Sequence, residues 1–325
     1  MLNGTAIAGA QSANEVVNVT AASEGTYSVA VTNGTNTTTT SFGTLAVTTN
    51  AWLANLSARA YAEPGANELI AGFVATGSAN KSLLIRGDGP SLSNFGITDF
   101  LADPQLTLAS STSTLATLNS WSPSLQSVFG QVGAFSLNPG SHDAAALESL
   151  AAGAYTAQVG SQTTNSGVAL AEIYDADSGA PANRLINLSA RAYVGTGSNI
   201  LIGGFVIAGT TPLTVIIRGD GPALQQFGLS GALLNPVLTL SNGSGTIATN
   251  TGWSNAPVNG NAATNAIIIQ PPTNLLFAKV GAFLLGDNSG DCAIVATLPP
   301  GDYTAQVAGT GGSTGIALIE IYEVR

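Results

Sequence analysis

The chain has 325 residues, of which 45% are hydrophobic and only 8% are charged, and its formal net charge is −10. The acidic balance argues against nucleic acid or an anionic membrane surface as a partner. No apolar run approaches the roughly 20 residues that span a bilayer, and the single cysteine, Cys292, excludes an internal disulfide framework. Because ordinary soluble domains carry about 25% charged residues, each charge in this chain is conspicuous.

Residues 1–50 predict part of an immunoglobulin-like sandwich. Gly25 and Tyr27 are spaced as in a tyrosine corner, and LNGTAIAGAQ resembles the segment that follows the core tryptophan in bacterial immunoglobulin-like repeats. On this interpretation the first two strands are absent, so we expect a second copy of the chain to cover the open core by donating a strand. Docking of residues 1–50 on the first repeat of the same chain is the alternative. The expected assembly surface comprises Val17, Val19, Tyr27, Val29 and Val31.

Residues 52–175 and 184–325 are two copies of one sequence, joined by a linker at 176–183. NLSARAY occurs at 55–61 and again at 187–193, and the same spacing relates Trp121 to Trp253. Beyond the tryptophans the spacing grows by 16 residues, as VGAF at 132 and 280 shows. The second copy therefore carries a 16-residue insertion near 254–272.

Apolar residues in both copies come in short runs, such as ELIAGFVA, KSLLIRG and GVALAEIY, separated by Gly, Pro, Asn and Asp. This spacing is typical of strands, and no amphipathic pattern is long enough for more than a turn or two of helix. We predict an all-β chain in which a partial immunoglobulin-like sandwich is followed by two jelly-roll-like antiparallel β-sandwich domains.

The two copies also resemble a domain repeated near the C-termini of large secreted proteins of planctomycete- and verrucomicrobium-like bacteria. The resemblance is carried by RLINLSARAYVGTGSNILIGGFVI, IRGDGPAL, LNPVLTL and PPGDYTAQVAGTGGSTGIALIEIYEV. It implies export and a place in cell-surface architecture, and it implies no chemistry.

Arg-Gly-Asp, a tripeptide that animal adhesion receptors read, occurs at 86–88 and again at 218–220. LLIRGDGP indicates a strand that ends in a turn, because Asp-Gly-Pro interrupts strand hydrogen bonding. Receptors read the tripeptide at a protruding loop tip, whereas here the arginine belongs to the strand. The sequence therefore favours a structural role over an adhesion signal.

Charged residues at equivalent positions of the two copies are candidates for structural ion pairs. An unpaired charge on an apolar strand is costly when buried. We therefore predict that Arg86 and Arg59 pair with Glu172 or Asp88, and that the second copy repeats the arrangement. Solvated side chains on an outer face are the alternative. The full set is Arg59, Arg86, Asp88, Glu172, Arg191, Arg218, Asp220 and Glu320.

The residues that most often carry catalysis are scarce. His142 is the only histidine, and Cys292 falls in the other copy, so a Cys–His nucleophile would have to bridge the two copies. No serine motif of the strand-elbow kind occurs. We expect a protein that is not an enzyme and binds no organic cofactor.

Two acidic turns are candidate calcium sites. DADSG places Asp175 and Asp177 at alternate positions, and DNSGD does the same with Asp287, Ser289 and Asp291. Neither turn has the full ligand set of a recognised calcium loop, and such turns are common without metal. The sequence therefore predicts no firm metal site.

Trp121 and Trp253 form a candidate glycan platform, because both follow a strand in a polar loop at equivalent positions. Aromatic side chains on jelly-roll sandwiches often stack on sugars. Capping of the sandwich end by the two indoles is the alternative.

Together these features predict a non-enzymatic extracellular structural protein that polymerises with itself into a surface fibre, filament or surface layer. The alternative is a carbohydrate-binding or adhesion module of a large secreted bacterial protein. MLNGTAIAGA lacks the basic start and apolar core of a secretory leader, so we expect either a leader already removed or a piece of a longer chain.

Overall fold

A computed structural model describes residues 1–7, 25–45, 51–177 and 183–324. The chain divides into two compact units, Met1–Asn50 and Ala51–Arg325. Most of the described residues lie in antiparallel strands, which confirms the predicted all-β sandwich class. No described helix is long and apolar enough to cross a membrane.

The first unit contains a hairpin of β1 (Gly25–Asn33) and β2 (Asn36–Leu45). A two-residue turn joins the strands, and its Gly34 has a φ of 63°, as the tight turns of hairpins require. Residues 1–3 bond to the outer edge of β1, where the Asn3 N–H donates to the Thr26 carbonyl. Val29 and Val31 are 49% and 62% exposed, whereas Val17 and Val19 lie outside the described residues.

In the second unit, the first sequence copy forms eight strands and one short α-helix. They are β3 (Ala51–Ala62), β4 (Leu69–Thr76), β5 (Lys81–Asp88), β6 (Pro104–Ser110), β7 (Thr114–Leu118), α1 (Gln126–Val132), β8 (Ala144–Leu150), β9 (Gly153–Ser161) and β10 (Gly167–Asp175). A 3-10 helix at 90–95 follows the Arg-Gly-Asp turn.

The second copy repeats this order and adds two short strands. Its elements are β11 (Arg184–Val194), β12 (Leu201–Gly209), β13 (Leu213–Asp220), β14 (Pro236–Asn242), β15 (Gly245–Asn250), β16 (Val258–Asn259), β17 (Ile268–Gln270), α2 (Asn274–Lys279), β18 (Cys292–Leu298), β19 (Gly301–Gly309) and β20 (Gly315–Glu323). The insertion supplies β16 and β17, which pair with β15 and β18 respectively.

Among the described strands of this unit, hydrogen bonds join neighbouring strands into two continuous series, called runs below, and each run contains strands of both copies. One run is β7-β6-β9-β4-β11-β20-β13-β18-β17, and the other is β8-β5-β10-β3-β12-β19-β14-β15-β16. A bridge between Leu185 and Leu53 links them. The copies therefore share their sheets, and residues 51–325 form one compact unit.

The junction between the copies is approximately two-fold symmetric. Asn187 of β11 lies opposite Val74 of β4, and its counterpart Asn55 of β3 lies opposite Val206 of β12. Both pairings contain a bulge at the equivalent place. The duplicated strands thus pair as two identical surfaces would across a two-fold axis.

Buried side chains form one main core and two smaller ones. Strands such as β4 and β12 alternate buried and half-buried residues, as strands with one face on a core do. The main core spans both copies. The first cap, residues 119–143, covers a second core with Leu84 and Phe129. The second cap, residues 251–291, covers a third with Ile216 and Phe277.

Candidate functional site

The first Arg-Gly-Asp tripeptide ends β5, which pairs with β8 on one side and β10 on the other. Side chains alternate between faces along a strand, so Ile85 enters the main core while Leu84 and Arg86 point to the opposite face, beneath the first cap. The register places Arg86 directly opposite Glu172 of β10. Arg86 and Asp88 are both 0% exposed.

Arg86 is held by carboxylates on one side. Its Nη2 lies 2.7 Å from Asp88 Oδ2 and its Nε lies 3.2 Å from Glu172 Oε2. The Tyr174 hydroxyl donates to the other Glu172 oxygen at 2.7 Å. The structure thus brings Arg86, Asp88 and Glu172 together as one buried ion cluster, with one positive and two negative groups.

Two rings and a carbonyl of the first cap complete the site. The Arg86 guanidinium carbon lies 4.9 Å from the Phe129 ring centroid and 4.1 Å from that of Phe135. Arg86 Nη1 donates to the Phe135 carbonyl at 2.8 Å. Cation–π contacts gain strength when the cation is desolvated. The guanidinium therefore fastens the cap to the outer face of the sheet.

The second copy builds the same cluster. Arg218 lies 3.0 Å from Asp220 and 3.3 Å from Glu320, and its Nη1 donates to the Phe283 carbonyl at 2.7 Å. Its guanidinium carbon lies 4.9 and 4.1 Å from the ring centroids of Phe277 and Phe283. We call these the Arg86 cluster and the Arg218 cluster.

Arg59 and Arg191 were predicted to join these clusters, and that part of the prediction is wrong. Arg59 lies opposite Leu170, and Arg191 lies opposite Leu318. Within the described residues neither arginine forms an ion pair. The physical reason is that Glu172 already faces Arg86 on the neighbouring strand, while Arg59 is partly exposed, so water can solvate it.

The buried tripeptides cannot be read by an adhesion receptor in the folded protein. Asp88 and Asp220 are, like Arg86 and Arg218, 0% exposed. Within each tripeptide the arginine and the aspartate pair with each other rather than with solvent. The geometry therefore supports the structural role that the strand pattern favours.

A further aspartate fixes the turn that follows each tripeptide. Asp143 accepts hydrogen bonds from the Gly89 N–H at 2.7 Å and the Ser91 N–H at 3.2 Å, and the Ser91 hydroxyl donates to it as well. In copy two, Asp291 accepts from the Gly221 N–H at 2.8 Å. The caps are thus tied to the turn as well as to the arginine.

Sequence reasoning missed the aromatic half of each cluster. Phe129 and Phe135 lie in a cap with no strand periodicity, so nothing local marks them as partners of Arg86. Their equivalence to Phe277 and Phe283 was the available signal, because the same pair recurs at one spacing in both copies.

The candidate calcium residues have other partners in the structure. Lys81 Nζ donates to the carboxylates of Asp175 and Asp177 at 2.7 and 2.9 Å. The lysine ammonium therefore lies where these two carboxylates would have held a calcium ion. Asp291 holds the backbone of the turn after the second tripeptide. No hydrogen bond or ion pair involving Asp287 is seen in the described part of the chain.

The two equivalent tryptophans belong to the caps, and the glycan-platform interpretation is wrong for Trp253, which is buried. Trp253 is 8% exposed, and its indole N–H donates to the Gly286 carbonyl at 2.9 Å. Trp121 is half-buried and donates to Ser141 at 3.2 Å. Each ring packs on the phenylalanine that covers its arginine. Trp253 therefore serves as core of its cap, while the partly buried Trp121 packs against the core of the first cap.

Cys292 lies in the main core, where burial raises the pKa of its thiol to about 12. The thiol is therefore protonated at neutral pH, which is the state of an inert buried cysteine. His142, by contrast, is exposed at the surface of the first cap. Among the described residues, no three His, Cys, Asp or Glu side chains are grouped so that they could hold a metal ion.

Burial of the two clusters has a consequence for titration. Burial raises the pKa of Asp88 well above its ordinary 3.8; Arg86 opposes this shift and the charge of Glu172 adds to it. Burial likewise raises the pKa of Asp220. Tyr174 and Tyr322 also have raised pKa values, chiefly because of burial, so both hydroxyls remain hydrogen-bond donors at neutral pH.

Stability should fall as pH rises through the range between the ordinary aspartate pKa and the raised pKa of the folded state. In that range the folded protein binds more protons than the unfolded chain, so deprotonation favours unfolding. We expect the thermal midpoint to drop with pH relative to the double variant Asp88→Asn/Asp220→Asn, whose amides do not titrate. Identical pH profiles for the two proteins would contradict the assignment.

Comparison with known proteins identifies no family or function for this chain. No protein-family model matches the sequence, and no curated protein is significantly similar to it. The resemblance to the repeated domain of large secreted bacterial proteins accordingly stays a prediction, and the functional argument rests on the residues described above.

Proposed function

We propose that this chain is a non-enzymatic extracellular structural protein, a building block of a surface fibre or surface layer. The observation that supports this most directly is the continuity of the two runs of strands through both copies. Because the copies share sheets and a core, residues 51–325 resist bending between copies better than two domains on a linker would. Stiff spacers of this kind suit an extracellular assembly.

The buried clusters support the same proposal. Their charges are used inside the protein, where they hold the two caps on the sheets, rather than in an open cleft. Strongly perturbed titratable groups often mark catalytic sites, but ion-pair networks perturb them as well. Here the arginines and aspartates are fully buried, which suits a fastening role better than catalysis.

Assembly is proposed to occur at the hairpin of the first unit, by strand donation from a second copy of the chain. Val29 and Val31 are exposed on β1, and no strand pairs with the outer edge of β2 within the described residues. Open edges with apolar side chains are templates for an added strand. A head-to-tail contact of this type does not close, so it extends into a filament.

Negative-stain microscopy and light scattering of the purified chain test this proposal. We expect filaments or lattices that the double variant Val29→Asp/Val31→Asp abolishes, because a charged strand face cannot be buried against a donor strand. Val258→Asp, which alters a 70% exposed valine of the second copy, is the matched control and should assemble normally. A 32.3 kDa species that stays monomeric at high concentration would contradict the proposal, as would assembly that survives the hairpin variant.

A further inference from the structure

A groove of about 510 Å³ lies at the junction of the two copies. It is lined by residues of β3 and β12, of the first cap, of the end of β10 and of the start of β19. This volume is within the ordinary range for small-molecule sites, about 300–1,000 Å³. The residues used below are Trp52, Asn55, Gln131, Asp175, Asp177 and Asp302.

Trp52 differs from the other two tryptophans of the chain. It is half-buried, and among the described residues its indole N–H has no hydrogen-bond partner, whereas the N–H groups of Trp121 and Trp253 are both bonded inside the caps. An indole that lines a groove and has an unused donor is placed to contact a ligand.

The equivalent place in the second copy shows that the fold does not require this tryptophan. Arg184 stands at the position of Trp52, and its guanidinium binds Glu323 at 2.8 Å and also the Ala51 carbonyl. There the corner is closed by an internal ion pair. In the first copy the counterpart of Glu323 is Asp175, which pairs with Lys81 instead, so Trp52 takes no part in an ion pair and lines the groove.

The polar lining has a buried acceptor that lacks a donor. The Asp175 side chain is only 4% exposed, and one of its oxygens binds Lys81. Its other oxygen, Oδ2, has no hydrogen-bond partner in the described structure. A buried acceptor left unpaired costs free energy, which a donor hydroxyl from a ligand would recover. Asp302 and Gln131 are exposed and offer further hydrogen-bonding groups.

The charge of the groove selects against ions. Among the described residues, three aspartates and no basic residue line the groove, so an anion is repelled. Lys81 already lies between Asp175 and Asp177, so a cation would have to displace an ammonium that is held at 2.7 and 2.9 Å. A neutral ligand rich in hydroxyl groups meets neither obstacle.

We propose that this groove binds a neutral saccharide, with a sugar ring stacked on Trp52 and sugar hydroxyls donating to Asp175 and Asp302. The proposal is independent of the proposed structural role, since a surface protein can assemble with or without a bound glycan. It also places sugar recognition at Trp52 rather than at Trp121 and Trp253, whose indole N–H groups are bonded inside the caps.

Isothermal titration calorimetry of the full chain tests the proposal with neutral, cationic and anionic probes. The neutral probes are short oligomers of glucose, galactose, mannose and N-acetylglucosamine; the charged probes are glucosamine oligomers and galacturonate oligomers. Trp52→Ala should weaken binding of the neutral probe by at least about tenfold, and Trp52→Phe should retain most of it because a stacking face remains. Phe227→Ala, which removes a 64% exposed ring outside the groove, should bind normally.

Three results would overturn the proposal: no neutral probe binding at millimolar concentration, equal binding by Trp52→Ala and the unaltered chain, or binding of a charged probe alone. Thermal unfolding checks that each variant is folded. If Trp52→Ala does not fold, Asp302→Ala replaces it, because Asp302 is exposed and its loss should weaken binding without affecting stability. Filament assembly is measured separately, so a failure of either proposal is distinguishable from a failure of the other.

Discussion

Replacing Arg86 by methionine should lower the free energy of unfolding by about 3–5 kcal/mol, because removal of one partner leaves the other charges of a buried cluster uncompensated. Methionine keeps an unbranched apolar stem in place of the arginine's, so the loss reports on charge and hydrogen bonding more than on the apolar part of the side chain. Asp88 and Glu172 would then face each other without the guanidinium. Urea denaturation, followed by the circular dichroism signal of the β-strands, measures the change in the free energy of unfolding. Arg218→Met should behave alike.

Arg59→Met is the matched control, because Arg59 is partly exposed and forms no ion pair with any described residue. Its effect should stay below about 1 kcal/mol. A second control adds Asp88→Asn and Glu172→Gln to Arg86→Met, which should restore part of the lost stability by removing the stranded charges. Equal effects of Arg86→Met and Arg59→Met would show that the buried cluster does not hold the cap.

Gly89→Ala should lower the free energy of unfolding by about 3 kcal/mol, because small-to-large changes in a packed interior force backbone shifts. An added Cβ at Gly89 would collide with the backbone carbonyl oxygen of Leu101. Leu101 cannot move freely, since its own N–H donates to the Val168 carbonyl at 2.9 Å. Gly221→Ala meets the same obstacle at the Leu233 carbonyl. Thermal and urea unfolding measure the loss.

Gly130→Ala provides the control for that prediction. Gly130 lies inside α1, and a Cβ there would meet nothing within 4 Å. Alanine is favoured over glycine in a helix by about 0.5–1 kcal/mol, so this variant should be slightly more stable than the unaltered chain. Gly89→Ala with unchanged stability would mean that the turn after the tripeptide is not packed as described.

The assignment of strands and copies needed only the sequence. The run KSLLIRGD alternates buried and half-buried residues at its start and becomes β5, and its counterpart at 213–220 becomes β13. Strands can be predicted in this way because successive side chains of an extended backbone alternate between its two faces, so the order of apolar and polar residues alone indicates a strand. The scarcity of charge also singled out Arg86 and Glu172 as partners, since few other ions lie on apolar strands.

The neighbours of each strand were decided only by the tertiary structure. Nothing in the composition of β3 or β11 shows that they pair with β12 and β4 across the copies, because hydrogen-bonding edges look alike in sequence. The sequence could not show that Arg59, although charged like Arg86, lies opposite a leucine rather than a glutamate. Nor could it show that Phe129 and Phe135 contact Arg86, because they lie in a cap without strand periodicity. The local sequence pattern determines which face of the sheet a side chain occupies, whereas long-range strand pairing determines which residues it contacts there. Those long-range contacts create both the buried clusters and the groove at Trp52.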